Sequence, residues 1–340
     1  MKPKLIPFLL CATTAVQQAL CAPANLLLVL EKAANNLVII DPVSQEIVAR
    51  VPVGKDPHEV VASDDGKTAY ISNYEHGTGT TIARVDLVAQ KALPPIDLGP
   101  FRAPHGLAYA GGKLYFTAEG SKAVCRWDPA TEKVDWVMGT GKNRTHMVLV
   151  SKDLETVFTS DDGSATVSFI QQPATPIAAG AGAGGGRGGA PSLWNIDTVA
   201  VGPRSEGFAL SPDGKELWIA NAQEGTISII DVQARKILRN IPSTKAANRI
   251  KFSPDGKYVF VPDMQGQELL VIDAAARTEY KRIALPGNSE GVAIAPDGQH
   301  AYTTLNSMDG VAVIDLRTMK FVSEIKTGKG PDGLAWAALK

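Results

Sequence analysis

The sequence predicts an all-β chain folded as a seven-bladed β-propeller of four-stranded antiparallel blades. Three observations predict it: a turn repeated at constant spacing, one large apolar residue at a matched place after each turn, and strand patterns without helical periodicity. Ser211-Pro-Asp-Gly-Lys215, Ser253-Pro-Asp-Gly-Lys257 and Ala295-Pro-Asp-Gly-Gln299 recur every 42 residues. In such a turn proline presets φ at the first corner and glycine takes the conformation that other residues resist. Weaker copies stand at Ser63–Lys67, Ala110–Lys113 and Ser151–Glu155.

Each turn leads into a strand that carries Tyr70, Tyr115, Phe158, Trp218, Phe260 or Tyr302, with Leu28 in the first, incomplete copy. This series reads as packing between neighbouring blades and carries no catalytic weight. A loop and a β-branched strand ending in aspartate follow, as in Thr226–Asp231 and Leu270–Asp273, and a fourth strand such as Glu46–Val53 closes the unit. The chain enters at a second strand, Leu26–Glu31, and leaves with an unpaired first strand, Gly333–Ala338. The two ends therefore share one blade, which removes the free sheet edges that template aggregation.

Two segments fall outside the repeat. Lys2 and Lys4 precede a mostly apolar run, Leu5–Val16, with small-residue cleavage positions around Ala19–Ala22, so residues 1–22 read as an export signal and residues 23–340 as one propeller. The apolar run is too short for a permanent membrane span. Export places the mature protein in the periplasm or outside the cell, with a lipid anchor at Cys21 as the alternative. Gly180–Gly189, within a Pro173–Pro191 insertion in blade 4, reads as a flexible loop; it lacks the Gly-Lys-Ser/Thr ending of a phosphate-binding loop. The 34 basic and 35 acidic residues give no field for nucleic acid, and removing the leader's two lysines takes the net charge from −1 to −3. Cys125 is the one cysteine beyond the leader, so no internal disulfide is expected, and a closed propeller can fold as a monomer.

Tyr70-Ile-Ser-Asn73, Trp218-Ile-Ala-Asn221 and Val51-Pro-Val-Gly54 resemble the unit of the YVTN-repeat propellers, a set that includes lactonase-like and surface proteins. The resemblance covers residues 25–340. It implies the fold and leaves the activity open.

In an up-and-down meander alternate loops lie on alternate faces, so all innermost strands start on one face of the ring. The residues opening them are His58, His105, His146, Glu206, Asn248, Glu290 and Asp332. Three imidazoles with Glu206 as the carboxylate make the pattern of a catalytic divalent metal: zinc, manganese, iron, magnesium or calcium. Glu206, Glu290 and Asp332 are the candidate proton carriers. Arg102, Arg144, Arg204, Asn248 and His76 are candidate contacts to an anionic substrate, as are Asp161 and Asp263, which break a second ring at the ends of the second strands. Beside this stands the plain reading, in which polar residues line a water-filled channel mouth. The three histidines sit in the blades with degenerate turns and so do not track the repeat consensus. Two functions follow: a metal-dependent lyase or hydrolase acting on a small polar or anionic molecule, or a non-catalytic propeller that binds an envelope component.

Overall fold

Serine, aspartate and glycine make each repeated turn self-supporting. In Ser211–Glu216 the serine hydroxyl donates to Asp213 Oδ1 at 2.6 Å and accepts from the Glu216 N–H, Asp213 Oδ1 also accepts from the Lys215 N–H, and Gly214 takes φ +73°. Strands of about six residues then pair antiparallel with their neighbours. The computed structural model describes residues 24–172 and 194–340, which form seven four-stranded sheets. The expected leader (1–22) and the expected loop insertion (173–191) lie outside the described residues. Six sheets take their strands in chain order from the axis outward. The seventh joins Pro331–Ala338 to Asn25–Glu31, with Asn25 opposite Ala338, and closes the ring. Among the described residues no helix is long and apolar enough to cross a membrane.

The apolar core is divided into seven clusters, one between each pair of adjacent blades. Each holds one member of the matched series: Leu28 packs against blade 2, Tyr70 against blade 3, Trp218 against blade 6 and Tyr302 against blade 1. Phe158, Trp218 and Phe260 are fully buried. At about 25 cal/mol per Å² of apolar surface, such side chains are the main adhesive between neighbouring sheets, which exchange only isolated backbone hydrogen bonds such as Gly207 N–H to the Asn248 carbonyl. Cys125 is buried in this packing and its thiol is pushed up to about 12 by burial, so it is a small hydrophobe.

Around the axis the inner strands approach one another through glycine. A Cβ on Gly291 would lie 2.2 Å from the Asp332 carbonyl oxygen, and one on Gly333 would lie 2.5 Å from that of His58. Gly291→Ala is therefore expected to destabilise the fold by about 1–3 kcal/mol in urea unfolding. Gly139→Ala, which meets nothing within 4 Å, should leave stability nearly unchanged. Equal midpoints for the two variants would show that the inner strands have room to part.

Candidate metal centre at the channel mouth

β-Bulges aim the ring residues. The register slips between Pro57 and Val60, Pro104 and Leu107, Thr145 and Met147, and Ser205 and Phe208, so His58, His105, His146 and Glu206 all lie in or beside an irregularity. Such slips re-aim side chains away from the regular alternation. In blades 6 and 7 the regular inner strands are short, Lys251–Phe252 and Val292–Ile294, and Asn248 and Glu290 precede them.

The imidazoles are neighbours, but they do not converge on one point. His58 and His105 have ring centroids 4.8 Å apart, and His105 lies 3.9 Å from His146 with the rings tilted by 34°. The donors that do gather are those of His105, Glu119 and His146, all within 4.8 Å of one another and all buried. Ligands of a tetrahedral zinc sit about 3.3 Å apart, so closing this group needs shifts of about 1.5 Å or less. Glu119 thus stands where the sequence pattern put His58 and Glu206.

Glu206 lies one step further out. His146 Nε2 is 2.8 Å from Glu206 Oε2, while Nδ1 is 2.5 Å from Glu119 Oε1. Burial alone would lower the pKa of His146, but the two carboxylates override it and hold it at about 9. Burial opposes ionisation of Glu206 too, yet His146, Arg249 and Arg204 keep its carboxyl far below the usual range. Glu206, expected as a proton carrier, thus sits among cations as their counter-ion. Glu119 accepts from Tyr74 Oη at 2.8 Å and faces Arg144 Nε at 3.5 Å. Tyr74 also packs edge-on against His58 and His105. His105, lowered well below the ordinary histidine value by burial, has Nδ1 enclosed with no hydrogen-bond partner among the described residues.

The other side of the mouth is a second charged group. His58 Nδ1 lies 3.3 Å from Lys32 Nζ and Nε2 lies 3.2 Å from Asp56 Oδ1, and burial lowers its pKa to about 4. A neutral imidazole accepting from the ammonium and donating to Asp56 fits both contacts. Asp332 Oδ2 is 3.2 Å from Lys32 Nζ, without the angle of a hydrogen bond, and both its oxygens are buried. Glu290 accepts from Asn248 and Asn306, and burial, reinforced by Asp332, pushes its carboxyl up to about 7. Lys32, Lys55, Asp56, His76 and Glu290 line a cavity of about 720 Å³ above this group.

The remaining candidates divide by geometry. Arg144 pairs with Glu119 and Asp162, and Arg204 with Glu206, so both are held by acids of the ring. Arg102 is exposed at the rim. His76 is almost fully exposed, and its backbone N–H donates to Asp56. Asp161 and Asp263 are corrections: they are 0% and 1% exposed and spend their oxygens inside the protein. Asp161 accepts from Thr159, Thr166 and Ser168, and Asp263 from the backbone N–H groups of Lys245, Ala246 and Gln265. They tie together the strands and loops around them.

The sequence reading missed Lys32, Tyr74, Glu119, Asp162 and Asn306. Each is one residue beyond the end of a second strand. It also missed Glu59 and Arg249, which pair across the channel. They occupy the position that is glycine in Gly106, Gly207, Gly291 and Gly333.

Residues 213–333, about a third of the chain, match the model of the cytochrome D1 heme domain. No curated protein matches the chain. Among solved structures, a functionally unknown protein from Desulfotomaculum acetoxidans aligns with a TM-score of 0.75 at 12% identity, over 93% of this chain and 100% of that one. A candidate 6-phosphogluconolactonase from Bacteroides fragilis aligns at 0.71 and 14% identity, over 92% and 98%. The dihydro-heme d1 dehydrogenase NirN, in complex with DHE, aligns at 0.64 and 17% identity, over 95% and 77%. These likenesses support a seven-bladed propeller family and establish the fold, not an activity.

Proposed function

We propose that this chain is an exported, metal-dependent enzyme, a lyase or lactonase-like hydrolase, acting on a small anionic molecule at the channel mouth. The buried His105–Glu119–His146 group carries the reading. Two nitrogens and one carboxylate suit zinc, iron or manganese. The orphaned Nδ1 of His105 fits a ligand atom awaiting its ion. Glu206 fixes His146 through Nε2, and a metal would take the place of the proton that Nδ1 now shares with Glu119, while Tyr74 and Arg144 fix Glu119, as outer partners do in metal sites. A cation here would polarise a substrate oxygen.

Lys32 and Lys55 offer the cavity's positive charge to a carboxylate or phosphate. Glu290, titrating near neutrality at the cavity wall, takes the substrate proton and returns it. Lys32 and Asp56 hold His58 in one tautomer at the same mouth. The leader supports export, and the ring's buried acids support a polar rather than an apolar substrate.

A heme fits poorly. The matched segment 213–333 contains one histidine, His300, which opens the strand after a Pro-Asp-Gly turn, on the face away from the ring. His105 and His146 are each 3% exposed with ring centroids 3.9 Å apart, so neither imidazole is open to a large planar group.

The non-catalytic reading rests on one observation: both nitrogens of His146 already meet carboxylates. Assay of metal-loaded protein on a panel of lactones and anionic esters separates the two. Turnover should rise with pH through about 7 as Glu290 ionises, and Glu290→Gln should abolish that dependence. No turnover across the panel would leave a binder. Stability offers an independent check on Glu290. Its folded carboxyl holds a proton to higher pH than the unfolded one, so stability falls as pH rises from the ordinary glutamate range through about 7. Urea unfolding of Glu290→Gln should show a flatter profile there.

A further inference from the structure

On the face opposite the histidines the channel opens into a vestibule of about 380 Å³ walled by Val61, Ile294, Leu334 and Trp336. It narrows toward a smaller space of about 80 Å³ lined by Leu107, Leu149 and Phe208. Lys251 lines both spaces and is the one charged side chain among the described residues lining the wider one. It is exposed into the opening. It makes no ion pair among the described residues, and Glu59, the acid whose field reaches it, is already paired with Arg249.

We propose that this vestibule is a second ligand site, which binds a free medium-chain carboxylate with its head group on Lys251 and its chain against Leu334, Ile294 and Trp336. Apolar walls with one placed polar group are what a small amphiphile requires. A charge-assisted contact in a partly desolvated mouth supplies the orientation. The site is independent of the metal reading, because its lining shares no residue with the cavity above the histidines.

Calorimetric titration of the full chain with octanoate tests this. One saturable site is expected, weakened about tenfold or more by Lys251→Met and within about threefold of wild type in Lys251→Arg, since a charged hydrogen bond is lost in the first and kept in the second. Lys32→Met, at the opposite mouth, should bind as wild type does, and 1-octanol should bind more weakly than octanoate. The proposal is overturned by absence of saturable binding to wild type, by equal affinity in Lys251→Met, or by loss of binding in Lys32→Met instead.

Discussion

Arg249→Met is expected to destabilise the protein by about 3–5 kcal/mol, because removing one partner strands a buried charge. Arg249 is 8% exposed. Its guanidinium bonds Glu59 from blade 2 and Asn248 beside it, and approaches Glu206 to 3.8 Å. The variant leaves Glu59 without its paired cation and removes one of the charges that hold Glu206 ionised. The double variant Glu59→Leu, Arg249→Met removes both ends of the cross-channel pair and should recover most of the loss, since a buried pair replaced by apolar groups of similar size is often neutral. Urea unfolding of the two singles and the double gives the coupling directly. A single-variant loss below about 1 kcal/mol would mean that channel water screens the pair as it does a surface salt bridge.

Glu206→Gln should weaken divalent-metal binding by about 10–100-fold, the usual effect of disturbing an outer partner of a ligating histidine. The amide can still meet His146 Nε2 but presents no negative charge to the ring. His146 then loses one of the two carboxylates that fix its orientation, while Glu119 stays in place through Tyr74. Competition against a chelator of known affinity measures the change. An unchanged affinity would place the ion, if one binds, away from His146.

The fold was legible because it is written seven times. The Pro-Asp-Gly turns, the matched large apolar residue and the shared terminal blade each state the same period, and the seven inter-blade clusters follow from them. The candidate site was legible in position and less so in membership. Aligning the first residue of every inner strand found His105 and His146, and with them Glu206. It missed Glu119 because the alignment of second strands stopped at Ala118, whose neighbours Asn73 and Asp161 turn into the blade. Successive side chains in a strand face opposite ways, so the next residue, Lys32, Tyr74, Glu119, Asp162 or Asn306, reaches the ring. Glu59 and Arg249 carried a signal of their own, as opposite charges replacing glycine in two blades. What the strand pattern does not encode is the bulge geometry, which separates His58 from the other two imidazoles and pairs it with Lys32 and Asp56.

The most direct test of the candidate metal centre is elemental analysis of the purified protein, incubated with zinc, manganese and iron and then dialysed, beside His105→Ala and Glu119→Ala. About one divalent ion per wild-type chain, lost in both variants, is the result expected of a three-ligand site. No retained ion in wild type, or equal retention in all three proteins, would contradict it and leave the ring a structural network of the channel mouth.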